Sequence, residues 1–145
     1  MSPPTTYPGS GLGLPERGVG AVATFGRRLV AVGLDWALCQ LIAYAVLDVG
    51  WGATGWASFG PLAVFALENI LLVSTLGATV GHRVLGLQVR ALGAGSQGHV
   101  AQLPGPVAGV VRTVLLCLFV PALIPDRDNR GWHDRAAGTV IVRAR

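Results

Sequence analysis

The chain has 145 residues, enough for one compact unit. Hydrophobic residues make up 52% and charged residues only 12%, where a soluble domain carries about 25% charged residues. This excludes an ordinary water-soluble globule and points to lipid as the solvent. The net charge of +4 comes from scattered arginines, which excludes a nucleic-acid-binding surface.

The N-terminal stretch 1–26 carries Pro3, Pro4, Pro8 and Pro15 among several glycines and has no apolar core of its own. It reads as a flexible cytoplasmic tail, not a cleaved signal peptide. Residues 27–145 then form the membrane domain. Every basic residue is arginine, which together with 21 glycines suits a bacterium with a GC-rich genome.

The first apolar segment, Leu29 to Leu47, is roughly 28 Å long as a helix, close to the thickness of a bilayer core. Arg27 and Arg28 precede it, while Trp51 and Trp56 follow, as expected if its start lies at the cytoplasmic face. The loop Asp48–Trp56 is short, glycine-rich and free of basic residues, like an external hairpin. The second segment, Ala57 to Leu76, returns the chain to Arg83 and Arg90, with Pro61 in its first turns where a lost hydrogen bond costs least. From Gly77 to Leu103 the chain is too polar to span. Val84–Arg90 suits a short strand or an interfacial helix, and Gly93, Gly95 and Gly98 mark a turn-rich loop.

The third apolar segment, Gly105 to Pro125, is interrupted by Arg112 and disturbed by Pro121 and Pro125. Its length suits a span, but the five arginines after it suit a re-entrant helix that keeps them inside. A tilted span packed against the first two helices is the preferred form. Thr139–Val142 resembles a short strand, able to pair with Leu87–Arg90 only if both lie on one side of the membrane.

Three charges fall inside these apolar segments, each costing about 2.5–3.5 kcal/mol near a helix centre. Counted from the cytoplasmic edge, Asp35 lies roughly 9 Å deep, Glu68 roughly 12 Å and Arg112 roughly 10 Å. At one level, Asp35 and Glu68 are expected to share the fork of Arg112, with Arg28 a second positive partner. Ala31 and Cys39 flank Asp35 at four-residue spacing and let a neighbouring helix approach it. The alternatives are an ion cluster that only orients helices and a protonatable or ion-binding site open to the cytoplasm.

No nucleophile elbow, zinc-protease helix or phosphate-binding glycine loop is present, so the chain does not read as an enzyme. His82, His99 and His133 read as isolated surface histidines. Cys39 and Cys117 read as small buried hydrophobes without disulfide or metal-ligand spacing.

Three stretches together resemble the RDD family, named for one arginine and two aspartates. The first is Phe25-Gly26-Arg27-Arg28 followed by Asp35. The second is the run Gly77-Ala78-Thr79-Val80-Gly81 leading through His82 to Arg83-Val84-Leu85-Gly86-Leu87. The third is His133-Asp134-Arg135-Ala136-Ala137-Gly138-Thr139. Val32 and Gly33 stand where an Arg-Leu pair often precedes the family's aspartate. The resemblance covers roughly residues 25–143 and makes Arg28, Asp35 and Asp134 the counterparts of the naming residues. It implies a multi-pass bacterial inner-membrane protein, often suspected of transport, with no cofactor. Asp134 then caps an element end or pairs with an arginine such as Arg83.

The expected architecture is an all-α membrane protein with two transmembrane helices, a third apolar helix that spans or re-enters, and a small cytoplasmic face bearing short strands. The expected function is transport of a small ion or solute, against the alternative of a membrane scaffold, assembly or regulatory partner. The expected partners are the bilayer and either further copies of the chain or a larger membrane protein, and no nucleic acid. The candidate functional residues are Arg28, Asp35, Glu68, Arg112 and Asp134.

Overall fold

The computed structural model describes residues 6–93, 102–118 and 124–145. Five helices and two strands follow in order: α1 (Phe25–Val46), α2 (Gly60–Leu76), α3 (Val80–Val84), β1 (Leu87–Ala91), α4 (Gly105–Cys117), α5 (Trp132–Ala136) and β2 (Thr139–Arg143). A 3-10 segment, Gly55–Phe59, leads directly into α2.

Helices α1 and α2 form a hairpin. The 22-residue α1 and the 22 residues from Gly55 to Leu76 are long and apolar enough to cross a bilayer. Their packing is the inverse of a soluble helix pair. The buried face of α1 is Arg28, Ala31, Asp35, Cys39 and Ala43, a stripe of small and polar residues near four-residue spacing. Its exposed residues include Leu41 at 62% and Tyr44 at 60%. On α2 the buried stripe is Pro61, Phe65, Asn69 and Val73, with Leu67 and Leu71 outside. Helices that bury polar and small groups and present leucine outward suit lipid, where apolar surface has no reason to hide.

Gly77 ends α2 in the left-handed region, at φ 67°, a conformation that favours glycine. It also lets strand β1 come close: the Val89 amide donates to the Gly77 carbonyl at 2.6 Å. Thr79 starts α3 by a capping box with His82. The threonine hydroxyl accepts from the His82 amide at 3.2 Å, and the imidazole Nδ1 accepts from the Thr79 amide at 3.3 Å. The single turn of α3 lies against α1, where a Cβ on Gly81 would come within 2.2 Å of the Ala31 carbonyl oxygen.

Strands β1 and β2 pair antiparallel, with Leu87 opposite Arg143 and Ala91 opposite Thr139. The expected strand pairing therefore forms, and it places the C-terminal segment at the end where α1 begins and α2 stops. Leu87, Val89 and Ile141 close a core with Ala23, Ala31 and Val73, joining the sheet to both long helices. Part of the segment read as a loose tail is also built into this end. Ala23 donates to Ile141 and Gly20 to Arg143, at 2.9 and 2.8 Å, so the chain before α1 lines the free edge of β2. Leu14 and Val22 pack on Val140 and Val142.

Of the span and the re-entrant form expected for the third apolar segment, the described residues hold only a short helix. Helix α4 has 13 residues, about 20 Å, too short to cross. It starts beside the C-terminal half of α2, where a Cβ on Gly109 would lie 2.1 Å from Ser74 Oγ. It ends with Leu116 packed on Phe65 and Cys39. Helix α5 packs against α4, with Asp134 on Arg112. Physically, the pairing of β2 with β1 and the ion pairs described below hold both flanks of α4 at one end, which a span forbids. Pro121, Gly95, Gly98 and His99 lie outside the described residues.

Because Gly81 meets backbone, not a flexible side-chain tip, Gly81→Ala forces α3 off α1. The expected cost is about 1–3 kcal/mol, read as a lower thermal unfolding midpoint in detergent. An unchanged midpoint would refute the close helix approach.

Candidate functional site

The buried charged residues sort into two groups at different depths along the α1 stripe, one basic and one acidic. The basic group centres on Asp134, which is fully buried. Its Oδ2 accepts from Arg28 Nη2 and its Oδ1 from Arg112 Nη1. The Gly131 amide donates to Oδ2 at 3.3 Å, and the Thr139 hydroxyl lies 3.4 Å from Oδ1. Four donors from α1, α4, the start of α5 and the start of β2 thus converge on one carboxylate. Arg28 Nη1 also donates to the carbonyl of Asn129, whose backbone is left-handed at φ 57°.

Asp134 does cap α5, through the Gly131 amide, but its ion partners are Arg28 and Arg112 and not Arg83. Arg83 is exposed, and its backbone carbonyl accepts from Arg145 Nη2 at 3.1 Å.

The acidic group lies deeper along α1. Asp35 accepts from the Thr79 hydroxyl at 2.5 Å and from the Gly81 amide at 2.6 Å, which docks α3 on α1. Glu68 accepts from the thiol of Cys39 at 3.0 Å. The expectation that Asp35 and Glu68 share Arg112 is corrected: the guanidinium is turned to Asp134, which offers full charge and closer reach from α5. Small residues flanking Asp35 do admit neighbours, since Gly81 sits on Ala31 and Glu68 on Cys39.

The five residues singled out from sequence therefore divide into Arg28, Arg112 and Asp134, joined by ion pairs, and the deeper Asp35 and Glu68, which are not ion-paired among the described residues. Thr79, His82, Asn129, His133 and Thr139 complete the two groups. Thr79, His82, His133 and Thr139 lie in the stretches that carry the family resemblance, and Asn129 does not.

The continuous pattern beneath this geometry is an arginine at the start of the first long helix, an aspartate seven residues on, and an aspartate before the closing strand. The model of the RDD family matches residues 22–138. The chain belongs to the RDD family. RDD domains are usually membrane-associated, in keeping with the two long apolar helices. Neither a curated protein nor a solved structure matches the chain. In this RDD chain Arg28 and Asp134 form an ion pair, while Asp35 binds the glycine-rich turn after α2.

Two histidines read as surface residues are buried: His82 is 2% exposed and His133 is 3% exposed. His82 is the third residue of α3 and His133 the second of α5, two short helices whose buried residues include these rings. Burial, with the positive charges of Arg112 and Arg28, pushes His82 down to about 3. Burial, with Arg112, Arg28 and then His82, pushes His133 down to about 2. His133 Nε2 lies 3.4 Å from Asp134 Oδ2. The two guanidiniums already take up that carboxylate's charge, so it does little to protonate the ring. Both imidazoles are neutral in the folded protein. No cluster of three or more histidine, cysteine or acidic side chains suited to a metal exists among the described residues.

Two outcomes are expected. Removing the shared carboxylate by Asp134→Ala leaves two buried guanidiniums facing each other, and breaking such a pair costs about 3–5 kcal/mol. Folded protein recovered by size-exclusion chromatography in detergent should fall severely; wild-type recovery would show that the ion pairs carry no weight. The second outcome concerns pH. An unfolded histidine takes up a proton near pH 6.5, but folded His82 and His133 do not until about 3 and 2. The unfolded state therefore binds more protons between these limits. The stability contribution is complete above pH 6.5 and is lost as pH falls towards 3, by up to about 1.4 kcal/mol per pH unit for each ring. Thermal unfolding in detergent should be flat from pH 7 to 8.5 and decline from pH 6 to 5. A curve level through pH 5 would mean that the rings titrate freely.

Proposed function

We propose that this RDD protein is a multi-pass protein of the bacterial inner membrane that moves a small cation or proton, with Asp35 and Glu68 as the exchange site. On this reading α1 and α2 are the spanning helices, and the sheet end faces the cytoplasm near Arg27, Arg83 and Arg90.

The observation that carries the proposal is the absence of a fixed counter-charge. Among the described residues, the ion-paired carboxylates are Glu16, Asp126 and Asp134, and neither Asp35 nor Glu68. Glu68 Oε1 is buried without a hydrogen-bond partner, and Oε2 has the weak thiol donor of Cys39. Charge on a carboxylate at this depth needs compensation. A proton or a small cation supplies it reversibly, whereas an arginine would supply it permanently. Two spanning helices and one short helix do not enclose a path, so the carrier acts as a homo-oligomer or with a larger membrane partner. No catalytic step is proposed.

A scaffold role is the second reading. The observation in its favour is that Asp35 spends both oxygens on docking α3.

Glu68→Gln separates the two, since Glu68 makes no docking contact with α3. Purified protein in proteoliposomes, under an imposed proton or sodium gradient, should show flux that Glu68→Gln lowers at least tenfold while oligomer size is kept. Wild-type vesicles that pass neither ion at any pH tried would leave the scaffold reading.

A further inference from the structure

A cavity of about 80 Å³ lies between α1, α2 and α4, away from the acidic pair. It has a chemical gradient along its length. At one end are Arg28, Arg112 and His133. At the other are Trp36, Leu62 and Phe65. Arg28 and Trp36 are eight residues apart on α1, about 12 Å along the helix.

The basic end is short of negative charge. The two guanidiniums that line it, of Arg28 and Arg112, share the single carboxylate of Asp134. Asp128, the next acid in the chain, is turned to the Gly9 amide. His133 is neutral, and its Nδ1 is buried without a hydrogen-bond partner. Arg112 is 1% exposed and Arg28 7%, yet the Nε donor of each is buried without an acceptor. Buried donors of this kind, on charged groups, are costly unless an acceptor arrives.

We propose that this cavity binds a long-chain carboxylate drawn from the surrounding bilayer, with its headgroup at Arg28 and Arg112 and its chain along Trp36, Leu62 and Phe65. A carboxylate offers two acceptor oxygens to the two orphaned Nε donors and neutralises one excess positive charge. The cavity has the room of roughly two to three waters, which suits a carboxylate and its first methylenes better than a glycerol-bearing headgroup. The cavity is lined at its apolar end by Trp36, Leu62 and Phe65, and the rest of the ligand's chain would extend past it into lipid. This site is separate from the acidic pair and stands whether or not that pair carries ions.

Cys117 lines the same cavity, while Cys39 is fully buried against Glu68. Alkylation of Cys117 by a small maleimide, read by mass spectrometry on the full chain in detergent, therefore reports occupancy. Oleate should slow the reaction at least fivefold, and oleyl alcohol or acetate should leave it unchanged. The protection should disappear in Leu62→Trp, which fills the apolar end without touching the ion pairs. Equal protection by oleyl alcohol would mean a merely greasy groove and would overturn the proposal. Protection by acetate would assign a free anion, and protection by lysophosphatidate with oleate inert would assign a phosphate. Either result, or no protection at all, also overturns it.

Discussion

One buried carboxylate holds this molecule together. Asp134 accepts from Arg28 at the start of α1 and from Arg112 in the middle of α4, across 106 and 22 residues of sequence. In water such a cluster adds little over a well-packed apolar core, because desolvation cancels most of the attraction. In a bilayer the apolar alternative loses its own driving force, since lipid tails solvate leucine as well as protein does. Charge pairing then becomes the main reason for α4 and α5 to stay with the helix hairpin.

The rest of the packing follows from close approach. Gly81 against Ala31 and Gly109 against Ser74 leave no room for a Cβ, so the helices touch backbone to side chain. Polar groups then meet across the short gap: Asp35 with Thr79 and Gly81, Glu68 with Cys39. The sheet adds a water-type core of Leu87, Val89 and Ile141 at one end of the molecule. The protein thus uses two packing rules, small-and-polar within the long helices and aliphatic beneath the sheet, and Ala23, Ala31 and Val73 join the two.

Hydropathy and arginine placement made the two long helices legible in the sequence, because length and apolarity are one-dimensional properties. The strands Leu87–Ala91 and Thr139–Arg143 were legible as segments. Their pairing was not, since it depended on where α4 went. That in turn depended on which acid took Arg112. Depth along a helix ranked Asp35, Glu68 and Arg112 as neighbours, but depth carries no information about azimuth. Asp134 had no depth at all in that scheme, because it sits beyond the last apolar segment. His82 and His133 were misread for the same reason: a five-residue helix shows too little periodicity to reveal which side faces inward. The packed part of the N-terminal segment was hidden by its prolines and glycines. They signal irregular backbone, and irregular backbone lining a strand edge looks like loose backbone in a sequence.

The separation of charge is the feature with most chemical consequence. Had Arg112 paired with Asp35 or Glu68, the deeper acids would be permanently neutralised and the carboxylate at the rim would be left to one arginine. Instead both buried arginines converge on Asp134, so the rim carries more positive charge than negative and the interior holds acids without arginines. Each imbalance is expensive in a low dielectric unless something else compensates it. On the proposed readings, protons or small cations compensate the acidic pair and a carboxylate compensates the basic node. Compensation by exchangeable species is reversible, which is what distinguishes a binding membrane protein from a merely well-paired one.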